Sequence, residues 1–398
     1  MPKTKAGDTV SRIEANRKLR HLTQHAFAAQ ANVSYSLYTK VVSGHKRATP
    51  TFVAACARAL GMDVGELYGQ PYKDQLLEDK INHLIQPVVQ TLDLYDLDPD
   101  DEVAVRPFQD LKADVRELGD LHDAGAFGVL AQRLPGLIEE CRAFAVTTGD
   151  PAGYNLLAQS YRAVYDVGAR FGYLSMSRVA MDRVDWAAQK AGDKEAPLRA
   201  MRQYQRSLIH MKQGDYATGL RMYKAGRAMV DAVDDTPLNL AVRGQLVLGA
   251  ALLSARSGMK DDAQHLIDEA GRIAGRTGEL PNAYWMGWGP TNVGVHRVQV
   301  WAEVDDPGRA VAAAGDLAVP EEWPPSRIAR FFVQRSGAEL WAGYPDRALA
   351  SLQAARTAAP QAVRYNPQAK ETTSTLLRSA RTISQELATF AHWAGVRP

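Results

Sequence analysis

Apolar positions in the first seventy residues recur at helical spacing, punctuated by cap and turn signals. Val10, Ile13 and Leu19 mark the inner face of a predicted helix over 9–20. Phe27, Ala28 and Ala31 then form a second stripe, and Leu37, Tyr38 and Val41 a third. Thr23 and Ser34 stand just ahead of these two stripes, where a hydroxyl can accept from an orphan amide of the first turn. Asn32 tolerates the left-handed backbone of a sharp corner, and Gly44 sits where a helix-ending glycine belongs. The pattern predicts two short helices joined by a tight turn within 22–44. Pro50 opens a further helix with Val53, Ala54, Ala57 and Leu60 inward. Gly61 ends it, and Val64 and Leu67 close a small five-helix domain over 1–70.

Residues 71–108 are expected to form a helical linker. Leu76, Leu77, Ile81, Leu84 and Ile85 give its stripe, which should stop near Pro87. An acidic loop over 93–102 follows. It lacks the glycine and terminal glutamate of an EF-hand, so it is read as a solvated connection. From 109 to 398 the chain predicts pairs of helices joined by Gly-containing turns, as at Gly214-Asp215, Gly258-Met259, Pro307-Gly308 and Gly343-Tyr344. The turns lie roughly 35–50 residues apart, near the tetratricopeptide period. About five pairs are expected, starting near Leu111, Leu156, Arg199, Leu240 and Gly294 or Arg327. Such pairs bury their faces only against neighbours, which predicts a curved all-α solenoid whose concave side is lined by the first helix of each pair. The last helix, about 369–393, carries Thr372, Thr373, Ser374, Thr375 and Ser379 and reads as a polar cap.

Leu22-Thr23-Gln24, Phe27-Ala28, Val33-Ser34 and Ser43-Gly44 ahead of a basic loop resemble the helix-turn-helix of XRE (lambda-repressor-like) regulators. Family members usually carry Glu-Arg where Val42-Ser43 stand. That glutamate pairs with an arginine of the first helix, so Arg17 is expected to lack its partner here and to face solvent or a phosphate. Gly69-Gln70-Pro71-Tyr72, Leu134-Pro135-Gly136-Leu137-Ile138, Gly289-Pro290-Thr291-Asn292-Val293 with His296-Arg297-Val298, and Val363-Arg364-Tyr365-Asn366-Pro367 resemble actinobacterial-type XRE regulators with tetratricopeptide C-terminal domains. The resemblance spans nearly the whole chain and implies architecture without naming a signal.

The overall charge of +2 hides a division. Lys plus Arg against Asp plus Glu gives 10 − 4 = +6 for residues 1–70, 7 − 17 = −10 for 71–150 and 30 − 24 = +6 for 151–398. Only the first block joins positive charge to a DNA-reading motif, and such charge supplies sequence-independent affinity for nucleic acid. Two cysteines, Cys56 and Cys141, lie outside any Cys-x-x-Cys, so a disulfide is not expected and a reduced, cytoplasmic setting is. The N-terminus has no apolar run, and no stretch is expected to span a membrane.

No His-Glu-x-x-His, Gly-x-Ser-x-Gly or phosphate-binding Gly-Lys-Ser/Thr motif occurs, so no enzyme, metal or cofactor is expected. His21 and His25 straddle a helix start and make a poor metal pair. The expected base readers are Ser34, Tyr35, Ser36 and Thr39, with Gln24, Lys40, Lys46 and Arg47 on phosphates. For an effector, polar and aromatic residues recur along first helices: Tyr154, Asn155 and Tyr161, then Gln203, Asn239 and Arg243, then Asn292, His296 and Arg297, then Arg330 and Gln334. Trp285 and Trp288 could wall such a site. The expected function is sequence-specific transcription regulation on double-stranded operator DNA by a homodimer, with a peptide or small-molecule effector bound by the solenoid. The alternative is a protein-binding scaffold or anti-activator tethered to DNA.

Overall fold

A computed structural model describes residues 9–100, 102–192, 196–280 and 283–396. Among the described residues the chain is all-α, with one isolated bridge between Leu280 and Trp288. The first unit comprises α1 (Thr9–Leu19), α2 (Gln24–Gln30), α3 (Tyr35–Val42), α4 (Pro50–Leu60) and α5 (Val64–Tyr68). Local chemistry starts its helices. Ala26 N donates to Thr23 Oγ1 at 3.1 Å, Leu37 N to Ser34 Oγ at 3.1 Å and Phe52 N to Thr49 Oγ1 at 3.2 Å. Asn32 takes φ 54° at the corner between α2 and α3. Ile13, Phe27, Tyr38, Val41, Phe52 and Leu67 fill the core. Leu19 does not join them and is 76% exposed. The buried face of α1 runs through Ile13 and Arg17, four residues apart, and Leu19 falls two positions off it.

The segment after this unit is more than a linker. α6 (Lys73–Glu78) and α7 (Asn82–Asp93) place Leu76, Ile81, Ile85, Val88 and Leu92 in the same core as the following helices. α7 runs through Pro87 instead of stopping there, because Ile85, Val88 and Leu92 are held by packing on both sides of it. The acidic loop is also anchored: Leu97 O accepts from Arg142 Nη1 at 2.6 Å, and Arg183 lies over the Tyr95 ring at 3.6 Å.

Among the described residues six helical pairs follow, where about five were expected: α8 (Phe108–Ala124) with α9 (Phe127–Thr148), α10 (Pro151–Phe171) with α11 (Leu174–Ala191), α12 (Ala196–Lys212) with α13 (Tyr216–Asp231), α14 (Pro237–Arg256) with α15 (Lys260–Thr277), α16 (Pro290–Glu303) with α17 (Pro307–Gly315), and α18 (Pro325–Trp341) with α19 (Pro345–Ala358). Gly294 and Arg327, weighed as alternative starts of one pair, belong to two. α14 is apolar and long enough, at 20 residues, to cross a membrane, contrary to the sequence expectation. Sixteen of those residues are buried inside the array, as a central core helix requires. The chain ends in α20 (Pro360–Arg364), α21 (Pro367–Ser379) and α22 (Gln385–Ala394). The single polar cap helix expected at 369–393 is therefore two helices, and Thr372 and Thr373 are buried.

The end of the array returns to its beginning. α18 packs on α8, Gly128 N donates to Gln361 Oε1 at 2.8 Å, and Arg170 Nη1 donates to Ala362 O at 2.9 Å. Tyr365 meets Phe171 edge to face at 5.0 Å. The helices thus enclose a central cavity. The N-terminal unit sits against this body through α4 and α5. Thr51 Oγ1 donates to Arg256 O at 3.0 Å, and Gln213 Nε2 donates to Asp63 Oδ2 at 3.2 Å. A Cβ on Gly214 would lie 2.3 Å from the Ala54 Cβ, so the glycine permits this close approach.

Candidate functional site

The first candidate site is the outer face of α3. Ser34, Tyr35, Ser36 and Lys40 are exposed there and Thr39 is half-buried. Ser34 spends its oxygen on the cap, and the Thr39 hydroxyl bonds back to Tyr35 O and Ser36 O at 3.1 Å each. Tyr35 stacks at a tilt on His25, ring centres 5.3 Å apart. A face of small hydroxyls and one lysine at a helix N-terminus can enter a major groove without steric conflict.

A polar network holds α3 at its angle. Glu14 receives Arg17 Nε at 2.9 Å and Arg17 Nη2 at 2.8 Å, and it also accepts from the Tyr38 hydroxyl. Arg17 donates its remaining terminal nitrogen to Leu22 O. The sequence expectation of an unpartnered Arg17 is corrected: Glu14, one turn earlier on the same helix, replaces the glutamate missing at position 42. Arg17 holds the Glu14 carboxyl down to about 2, with the Tyr38 bond adding to it. Gln24 leans on the same carboxylate at 3.4 Å.

The basic loop after α3 points toward the array. Lys46 Nζ lies 3.5 Å from Asp305 on the surface. Arg47 lies 3.8 Å from the buried Glu303 carboxylate and donates to Ala302 O at 3.3 Å. Glu303 also receives Arg256 Nη2 at 2.8 Å. Arg47 is thereby committed to a contact between the domains in this structure.

The second candidate site is the central cavity, about 420 Å³, a size suited to a small organic molecule. Its wall comes largely from α10, α12, α14, α16 and α18, the first helix of five successive pairs, with His122 of α8, Phe127 of α9, Leu174 of α11 and residues of α20 and α21 completing it. α10 contributes Arg162, Tyr165, Asp166 and Arg170, which fall on one helical face. α12 adds Tyr204 and Lys212, and α18 adds Arg327, Arg330 and Gln334. The N-terminal unit closes one side with Arg47, Pro50 and Tyr68. Among the described residues Arg162, Arg170, Lys212, Arg327 and Arg330 make no ion pair within 4 Å. Asp166 lies near His122 at 3.9 Å. Burial pushes Arg170 and Arg327 down to about 10, and the protein packed around the cavity pushes Lys212 to about 8 although its side chain keeps exposed surface, so all three still carry charge at neutral pH.

Of the thirteen effector residues expected from sequence, the structure brings Trp285, Arg330 and Gln334 to this cavity. Trp288 is fully buried, donates Nε1 to Thr277 Oγ1 at 2.9 Å and packs over Gly244. Asn292 donates to Gln245 Oε1 at 2.9 Å inside the core. His296 shares Nδ1 with Asn292 O at 2.8 Å, and burial holds its ring neutral, down to about 3. Asn239 donates to Asp234 O at 2.7 Å, and Arg243 pairs with Asp231 at 2.9 Å and Asp235 at 2.8 Å. Arg297 is a surface side chain 4.0 Å from Asp268. Tyr154 packs on Trp186, and Asn155 lines a separate cleft beside Lys112 and Trp285. Helical phase explains most of this: these side chains face neighbouring helices or the outer surface. The residues that sequence reasoning missed, Arg162, Asp166 and Arg170, carried a readable signal in their i, i+4, i+8 spacing.

The N-terminal unit, with its capped corner and exposed second motif helix, has the form of a DNA-reading helix-turn-helix domain. Residues 13–67 match the model of a helix-turn-helix family, which supports an XRE-type domain and DNA-binding transcription regulation. No curated protein and no solved structure matches the chain.

Proposed function

We propose that the chain is a sequence-specific transcription regulator that acts on operator DNA as a homodimer under control of an effector held by its helical array. The observation that carries the reading is the outer face of α3, which the Glu14–Arg17–Tyr38 network fixes and the array leaves open. On this reading Ser34, Tyr35, Ser36 and Thr39 meet base edges. Gln24, Lys40 and Lys46 meet phosphates, and Arg47 joins them only on leaving Glu303. One small domain contacts too little duplex for high specificity, and two half-sites about one helical turn apart supply it. The six pairs are read as tetratricopeptide-like repeats with lengthened helices, drawn into a closed body.

The test is selection of genomic fragments by the purified chain at about 150 mM salt, followed by sequencing. Enrichment of a short inverted repeat is expected. Uniform recovery of all fragments would overturn sequence-specific regulation.

A further inference from the structure

Seven Arg and Lys side chains and three carboxylates line the central cavity; five of the cations, Arg162, Arg170, Lys212, Arg327 and Arg330, are without an ion-pair partner among the described residues. Their existing bonds go to neutral groups. Arg162 donates to Tyr284 O, Arg170 to Ala362 O at 2.9 Å, Arg327 to Trp285 O at 2.9 Å, Arg330 to Gln299 Oε1 at 3.1 Å, and Lys212 to Ala169 O at 3.4 Å. The Nε atoms of Arg162, Arg170 and Arg327 are buried without any acceptor. Arg162 is itself only 5% exposed. Guanidinium does not lose its proton in a protein, so burial of these groups cannot be relieved by deprotonation. At the side nearer the N-terminal unit the charges balance: Arg47 and Arg256 face Glu303 and Glu371. The excess of positive charge comes from the other five cations, against which Asp166 stands alone.

The wall there is also aromatic. Arg162 lies over the Trp285 ring at 4.8 Å, and His122 stacks on that ring at 6.2 Å. Tyr284 and Trp285 both hold left-handed backbone, φ 46° and 55°, which bulky residues adopt at a cost. The two arginines that grip their carbonyls hold them there. Gly119 makes room, since a Cβ at that position would lie 2.4 Å from the Trp285 Nε1. Tyr165 and Tyr204 add two more rings to the lining.

We propose that this cavity binds a small organic dianion, its charge carried by two carboxylates or by one phosphate on a flat aromatic body. The anionic groups lie against Arg162, Arg170, Lys212, Arg327 and Arg330, and the ring lies against Trp285 and the tyrosines. The three carbonyl-bound arginines, Arg162, Arg170 and Arg327, keep N–H donors unspent, and a guanidinium can meet a carboxylate or phosphate through more than one N–H. This deepens the proposed regulatory function and rests on it for its biological meaning, though the site stands or falls by its own binding test.

The test uses the full chain and defined probes: isophthalate, phenyl phosphate, dimethyl isophthalate as the neutral counterpart, inorganic phosphate and an acidic tripeptide. Calorimetry and thermal unfolding are followed for the native chain and for Lys212→Met and Arg330→Gln. Isophthalate or phenyl phosphate is expected to bind one per chain, at least tenfold tighter than the neutral ester and inorganic phosphate. The choice between the two dianions reports carboxylate against phosphate chemistry. Lys212→Met is expected to weaken that binding at least tenfold while the ligand-free protein melts no lower, because the substitution removes a like charge and only one long contact. A purely structural lysine would lower the melting temperature and leave the ester-to-dianion ratio unchanged. Equal binding of ester and dianion, no binding of either dianion at millimolar concentration, or binding of the tripeptide alone would each overturn the proposal. Fragment selection separates the two failures: an inverted repeat without dianion binding sinks the cavity and spares the regulator, and the reverse result does the opposite.

Discussion

Replacing Glu14 by glutamine removes the charge at the centre of the DNA-reading domain while keeping its shape. The Arg17 guanidinium then loses two charge-assisted bonds, at 2.9 and 2.8 Å, and Tyr38 loses its ionised acceptor. Breaking a fully buried pair costs about 3–5 kcal/mol. The two side chains are 10% and 16% exposed, so water relieves part of the loss and about 2 kcal/mol is expected. A domain of about sixty residues holds roughly 3–9 kcal/mol in all, so the change is a large share of its stability. The unit has no tryptophan, and amide hydrogen exchange of peptides from α2 and α3 is the suitable readout. Protection should fall about 30-fold at pH 6.5. Glu14 titrates near 2 in the folded chain against its ordinary 4.5, so its contribution is whole above pH 4.5 and fades as pH falls toward 2. The gap between the two proteins should therefore narrow by more than half at pH 3. Equal protection at pH 6.5, or a gap unchanged at pH 3, would refute the role given to this network.

Three further outcomes follow from the same structure. Lys40→Ala should weaken binding to all DNA sequences alike and flatten the salt dependence by about one unit, whereas Arg47→Ala should leave the slope unchanged, because its guanidinium is held at Glu303; parallel salt titrations on operator and random duplex decide this. Gly244→Ala would place a Cβ 2.0 Å from the Trp288 ring and should cost about 2 kcal/mol or more, seen as a lower melting temperature by tryptophan fluorescence. His296 is neutral in the fold and has a pKa depressed to about 3 from an ordinary 6.5, so it binds fewer protons folded than unfolded and removes stability as pH falls through that window. His296→Gln should give a shallower decline in melting temperature between pH 7 and 4.5.

What sequence reveals here depends on how far apart the interacting residues are. The corner of the DNA-reading unit was legible because Thr23, Asn32 and Ser34 act within three residues of themselves. The partner of Arg17 was misplaced because an expected contact across helices is made instead within α1, where Glu14 lies at i−3. Local propensity makes Pro87 a helix stop, and tertiary packing of Ile85, Val88 and Leu92 overrides it. The Trp285–Arg297 stretch looked like a site because it gathers rings and polar groups in a short span. Helical phase sends Trp288, Asn292 and His296 into the core and leaves Trp285 alone at the cavity. The cavity itself joins residues from α10 and α12 to residues of α18, more than a hundred positions further on, and one helix's periodicity cannot show that convergence.

The position of the N-terminal unit gives the cavity a physical route to DNA binding. A ligand shifts a conformational equilibrium only through a difference in its contacts with the two states. Here α4 and α5 side chains form part of the cavity wall, so a molecule filling it touches a different surface when the unit is docked than when it has moved. Glu303 stands at the junction, bound to Arg256 at 2.8 Å and to Arg47 at 3.8 Å. An anion held against Lys212 and Arg330 repels the Glu303 carboxylate through the cavity, which loosens the docked arrangement and frees Arg47. A Glu303→Gln chain should mimic that loosening without ligand. Limited proteolysis between the DNA-reading unit and α6 should be faster in it, and isophthalate should then have little further effect. A variant that cleaves at the native rate, and still responds fully to the dianion, would place the coupling elsewhere in the wall.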